Sequence, residues 1–290
     1  MTELLDLTPR FRTFYALAQG VAPDRRWGLW QQHYGFAAVP PVPEGQAMAR
    51  KLLGDAWDRY AGLPHALEAE AHRLLGQDEA AAPPLELLLG APVPPHRLVA
   101  YVGGFEDNAF AFSDPQPTLC LPVEMAATKA GVILTHELTH LVHHTFSGSL
   151  GSWTRALGAT IVQEGLAMRA TTVLHPDAPL VWRVGERAWL DACQNIRTEL
   201  IEDALASLED SDDATLLRFI RPHPQFHLER TAYALGWWLV EDWLKQGRTL
   251  AALARVPEAE LPGVVRTWMT YTAQRKNPHH NGRGPVQTGS

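Results

Sequence analysis

Residues 130–145 read AGVILTHELTHLVHHT, and this stretch constrains the chain more than any other. Val132, Ile133, Leu134, Leu138, Leu141 and Val142 are apolar, no proline interrupts them, and Gly131 stands only at the start, so the segment is expected to be helical. On a helix, His136 and His140 project from one face about one turn apart. Two imidazoles at that spacing can take one metal ion, and the His-Glu-x-x-His pattern is the one that binds zinc, with Glu137 placed to reach a water beside it. A helix carrying this group must open one face to a cleft while its other face packs.

A catalytic zinc takes three protein ligands and leaves one position for water. The pattern H-E-x-x-H-x-x-G-x-x-H would supply the third from residue 146, but positions 143 and 146 are His143 and Phe146. Glu164 is the better candidate, in the run Ile161-Val162-Gln163-Glu164-Gly165-Leu166-Ala167. The intervening residues allow the first helix to end near Ser147-Gly148 and a second to return past it. Flanked by Ile161, Val162 and Leu166, the Glu164 carboxylate would face an interior or a cleft, where an uncompensated charge is costly. Gly165 beside it permits close helix approach. Glu199, Glu202 and Asp203 form an acidic cluster that is a backup third-ligand site, and His143 is a second-sphere or solvent-facing residue rather than a ligand. With this site, Glu137 would act as general base and then acid toward water and a leaving amine. The oxyanion so formed needs a second electrophile. Tyr233, Arg230, His227 and His223 are the candidates. Tyr233 also begins an apolar stripe with Trp237, Val240 and Leu244, the spacing of a helix core.

With these residues in view, the chain resembles gluzincin-type zinc metallopeptidases. It is especially similar to bacterial families of predicted zinc-dependent proteases with an EGLA second helix, here Glu164-Gly165-Leu166-Ala167. The likeness covers roughly residues 97–170, with a weaker match at Tyr233-Ala234-Leu235-Gly236. It implies a zincin-like core: a small sheet whose edge strand borders the cleft, an active helix, and a second helix bearing the ligand glutamate. It implies hydrolysis of peptide bonds in a peptide or protein substrate, and favours Tyr233 as the oxyanion donor. One position departs. Thermolysin-like members carry an Asp four residues beyond the ligand Glu to orient a histidine, whereas this chain has Met168.

The rest of the chain reads as mostly helical α+β. Residues 1–36 are expected as helices around a break at Gly20–Asp24, with Leu4, Leu5, Leu7, Phe11 and Phe14 in one stripe. A helical stretch from Glu44 to Leu75 breaks near Gly62-Leu63-Pro64, and Gln77–Pro84 reads as a proline-marked turn. Arg97–Val102, Asn108–Phe112 and Thr118–Leu121 are expected strands. Helical patterns then cover about Ser152–Leu174, Trp182–Leu208, Ala214–Ile220, Leu228–Gln246 and Glu258–Thr272. This divides the chain into a helical lobe over 1–95, a core and C-terminal lobe over 96–275, and a flexible tail over 276–290 containing His279-His280.

Composition narrows the class. A formal charge of −7 gives no basic footprint for nucleic acid or an anionic membrane. No apolar run reaches the ~18 residues of a membrane span. The first residues lack a secretory h-region, and two isolated cysteines, Cys120 and Cys193, are expected as buried thiols of a cytoplasmic protein. Two other readings stay open: a weakly active or inactive binding protein built on the same scaffold, and a zinc hydrolase of a non-peptide amide or ester.

Overall fold

Four short strands form one mixed sheet: β1 (Thr2–Asp6), β2 (His96–Tyr101), β3 (Phe110–Phe112) and β4 (Thr118–Pro122). The computed structural model describes residues 1–63, 65–149 and 151–276; the tail with its histidine pair lies outside these apart from residue 276. The strand order is β1-β2-β4-β3, with β1, β2 and β4 parallel and β3 antiparallel to β4 at one edge. All else regular is helical, so the architecture is α+β and mostly α.

Joining parallel neighbours requires a crossover. Between β1 and β2 it comprises α1 (Thr8–Ala18), α2 (Pro23–His33), α3 (Gly45–Ala56), a 3-10 turn at Trp57–Gly62, and α4 (Leu67–Leu89). Phe11, Phe14, Tyr60, Leu74, Leu85 and Leu89 from this crossover are buried in the same core as the sheet.

Two expectations are corrected here. Residues 2–6 form a strand, not the start of a helix. Their partner is β2, with Leu4 opposite Leu98 and Glu3 opposite Arg97, and a pairing so remote in sequence leaves no local periodicity. Gln77–Pro84 is not a turn but the middle of α4. Leu74, Asp78, Leu85 and Leu89 are buried along its inner face, while Pro83 and Pro84 lie on the exposed face. There the two carbonyls that lose their N–H partners meet water.

After the sheet, α5 (Ala127–Ser147) runs to Gly148, whose φ of 74° stops it in the left-handed region. α6 (Leu157–Leu174) is buried almost all round, as befits a helix at the centre of a bundle. Around it lie the short helices α7 (Leu180–Arg183), α8 (Arg187–Asn195), α9 (Arg197–Leu205) and α10 (Asp213–Ile220), then α11 (Thr231–Lys245), α12 (Leu250–Leu253) and α13 (Leu261–Lys276). Glycines let two of these come close. A Cβ on Gly158 would lie 2.6 Å from Pro262 Cα of α13, and Gly165 meets Gly236 of α11 in the same way. α5 is packed between α4, α6 and the β3–β4 side of the sheet.

Candidate metal centre

α5 places His136 and His140 on one face, with ring centroids 4.8 Å apart and planes at 80°. α6 crosses beside them and supplies Glu164. Its Oε2 lies 3.3 Å from His136 Nε2 and 3.7 Å from His140 Nε2. Glu137 completes the group: one ligand atom each from His136, Glu137 and His140 fall within 4.8 Å of one another. The four side chains are largely buried, with exposures of 14%, 11% and 7% for His136, His140 and Glu164.

The donors fit a tetrahedral ion. Ligands about 2.0–2.1 Å from such an ion stand about 3.3–3.4 Å from one another. The separations of Glu164 Oε2 from the two Nε2 atoms, 3.3 and 3.7 Å, are close to that. Nitrogen and carboxylate oxygen donors suit zinc and several other divalent ions alike.

The two carboxylates differ sharply. Burial raises Glu137 to about 7, opposed by His136 and reinforced by the charge of Glu164. Burial acts the same way on Glu164, but the His140 and His136 imidazoles outweigh it and hold Glu164 at about 2. One acid is therefore fixed as an anion, and the other exchanges a proton near neutrality. Burial and the neighbouring His136, His144 and Arg155 keep His140 neutral, with its lone pair free for a metal. Burial would also depress His136, but its bond to Glu164 and the charge of Glu137 raise it.

Tyr233 sits in the first turn of α11, one turn before the contact of Gly236 with Gly165. Burial and then the charge of Glu164 raise its phenol, so it stays protonated as a donor. Arg230 stacks on its ring at 4.1 Å. The other two oxyanion candidates are not brought to the site. His223 is buried with Nε2 3.0 Å from Asp203 Oδ2, and its Nδ1 accepts from the Gln225 N–H. His227 is exposed in the loop before α11.

The acidic cluster on α9 is likewise engaged elsewhere: Asp203 pairs with His223 and Arg218, and Glu199 and Glu202 face solvent. His143 is not solvent-facing. It is fully buried one turn past His140, with neither ring nitrogen hydrogen-bonded. Met168, where a supporting Asp was sought, is core.

Sequence reasoning passed over Arg155, Ser113 and the role of His144. His144 stacks on His140 at 6.1 Å, and its Nδ1 lies 3.0 Å from Ser113 Oγ just after β3. Arg155, in the α5–α6 connection, donates to Thr160 Oγ1 and the Ser152 carbonyl and places a positive charge near Glu164, His140, His143 and His144. Nothing local marks that arginine; only the return of α6 beside α5 brings it there.

A cavity of about 390 Å³ lies elsewhere, at the N-terminal end of α5, between Glu70, Arg73, Phe105 and Glu124. None of the candidate ligands lines it. Comparisons with protein-family models, curated proteins and solved structures return no match for this chain.

Proposed function

We propose that the chain is a zinc-dependent metallopeptidase of the gluzincin type, acting on peptide or protein substrates in the cytoplasm. The supporting observation is the convergence of His136 Nε2, His140 Nε2 and Glu164 Oε2 beside a second carboxylate of very different proton affinity. His136, His140 and Glu164 would hold the ion. Zinc bound there supplies a Lewis acid for a carbonyl oxygen and lowers the pKa of a neighbouring water. Glu137, at about 7, takes a proton from the attacking water and returns it to the departing amine. The hydroxyl thus ends on the carbonyl carbon and the proton on nitrogen. Glu164, as a ligand, would have its carboxylate committed to the ion and so would leave that work to Glu137. Tyr233, whose phenol burial keeps protonated, is the donor available to the oxygen that gains charge.

The zincin-like reading is supported by an active helix packed against the β3 edge and a second helix carrying the glutamate. The compartment is supported by buried, unpaired Cys120 and Cys193. No helix among the described residues is long and apolar enough to cross a membrane.

The test is Glu137→Gln. This variant keeps its zinc and loses hydrolysis of a peptide library that the parent cuts; full activity in the variant sinks the mechanism. One observation favours a second reading, a weakly active or inactive binding protein on this scaffold. Met168 is core where thermolysin-like enzymes have an orienting carboxylate. Full zinc loading without turnover of any peptide or of non-peptide amides and esters would select it.

A further inference from the structure

We propose that Arg230, stacked on the ring of Tyr233, forms a carboxylate-binding subsite beside the His136–His140–Glu164 cluster, and that it holds a peptide substrate by its free C-terminal carboxylate. The cleavage part of this inference rests on the hydrolase reading above; the binding part does not.

Arg230 is held in place before α11 begins. Its φ of 56° and ψ of 34° put it in the left-handed region, which a non-glycine residue adopts only when its surroundings hold it there. Its backbone N–H donates to the Ile220 carbonyl at 3.0 Å, which ties the loop end to α10. The guanidinium lies 4.1 Å over the ring of Tyr233 and 6.0 Å from that of Trp189. Arg230 is half-buried, yet among the described residues it has no side-chain hydrogen bond and no carboxylate partner.

Four other arginines of the C-terminal half differ. Arg169, Arg197, Arg218 and Arg266 all reach a carboxylate within 4 Å. The hydroxyl of Tyr233 is likewise without a hydrogen bond among the described residues. The guanidinium thus stands on an aromatic ring with its N–H groups unsatisfied among the described residues.

The chemistry selects the ligand. A substrate carbonyl can take a hydrogen bond from Arg230 but leaves its charge uncompensated in a half-buried place. A carboxylate accepts two parallel N–H bonds from a guanidinium and cancels the charge. Because the αL backbone and the stacked ring fix the guanidinium in advance, little ordering is needed on binding. Arg230 stands six residues before Gly236, which meets Gly165 beside Glu164, so a carboxylate anchored there leaves room for few residues beyond the cut bond. The activity is then that of a carboxypeptidase acting on free chain ends, not on internal bonds of folded proteins.

Binding is read in the Glu137→Gln protein loaded with zinc, using a dansylated tetrapeptide library as free acids and the same library as C-terminal amides. The acids bind at least tenfold tighter than the amides. Arg230→Gln abolishes that difference, Arg230→Lys keeps part of it, and Tyr233→Phe, which keeps the stacked ring, retains it, all with melting curves close to the parent. Equal affinity for acids and amides overturns the proposal, as does a preference that survives Arg230→Gln or a failure of the acids to bind. Hydrolysis by the wild-type chain separates the two readings. Preferred binding of acids that are never cut sinks the hydrolase and leaves the subsite. Efficient cutting of amidated peptides at internal bonds sinks the subsite and leaves the hydrolase.

Discussion

Gly165 and Gly236 meet backbone to backbone: a Cβ on Gly165 would lie 2.3 Å from the Gly236 carbonyl oxygen, and one on Gly236 would lie 2.2 Å from the Ile161 carbonyl oxygen. The contact locks α11 against α6 one residue from Glu164. Both obstacles are backbone, so they cannot turn aside as a side chain would. Gly165→Ala and Gly236→Ala are each expected to cost about 1–3 kcal/mol or more, a fall in Tm of roughly 2–4 °C per kcal/mol. Calorimetry checks this; an unchanged Tm in both would mean the helices do not cross as described.

The ligand set has its own test. Metal analysis of purified wild-type protein is expected to give about one zinc per chain. His140→Ala and Glu164→Ala should weaken zinc binding by at least about a hundredfold, beyond what the loss of an outer-sphere partner produces. Competition with a chromogenic chelator reads this directly. Stoichiometric, tight zinc in Glu164→Ala would move the third ligand away from α6.

His96 and Asp78 form a buried pair that ties β2 to α4, at 3.0 Å, and Asp78 also accepts from Thr2 Oγ1 of β1. Burial opposes the charge on His96, but the bond to Asp78 and its negative charge raise the imidazole above its usual value. The folded state thus binds this proton more tightly than the unfolded chain. The stabilisation is complete below about 6.5, the unfolded value, and is lost as pH rises through the higher folded value. Asp78→Asn should remove that slope and lower stability by about 3–5 kcal/mol at pH 6. Urea melts at pH 5.5 to 8.5 on both proteins make the comparison. A parent whose stability rises with pH in that range while the variant is flat would contradict it.

Glu124 gives the same sign in a lower window. Burial raises its carboxyl to about 7, although the N–H groups of Gly103 and Phe105 bond its charged form. The folded state holds the proton between about 4.5 and 7 while the unfolded chain has released it, so stability falls as pH rises across that range. Glu124→Gln is expected to flatten this part of the profile. A profile unchanged by the substitution would place the titration elsewhere.

The parts that could be read from the chain alone are those encoded within one turn or one hairpin. His136, Glu137 and His140 carry their geometry in their spacing, because any helix puts residues four apart on one face. Glu164 was legible for a related reason: a carboxylate among Ile161, Val162 and Leu166 needs a compensating partner. The helix over Leu157–Leu174 and the strands at residues 97–121 follow from the same local patterns.

What only the tertiary structure decided depends on residues far apart. β1 is a strand because β2 lies beside it, and the helical stripe of Leu4, Leu5 and Leu7 carries no record of that partner. α4 passes through Pro83-Pro84 because Leu74, Asp78, Leu85 and Leu89 are packed on one side, a gain larger than two missing hydrogen bonds on the other. His223 is removed from the site by Asp203, and Arg155 and Arg230 are carried to it by the return of α6 and the α6–α11 crossing. The sequence by itself determined that His136, Glu137 and His140 come together on α5, since their spacing is local. The folded chain decided which charges surround them, because burial and long-range charge exist only after the helices have met.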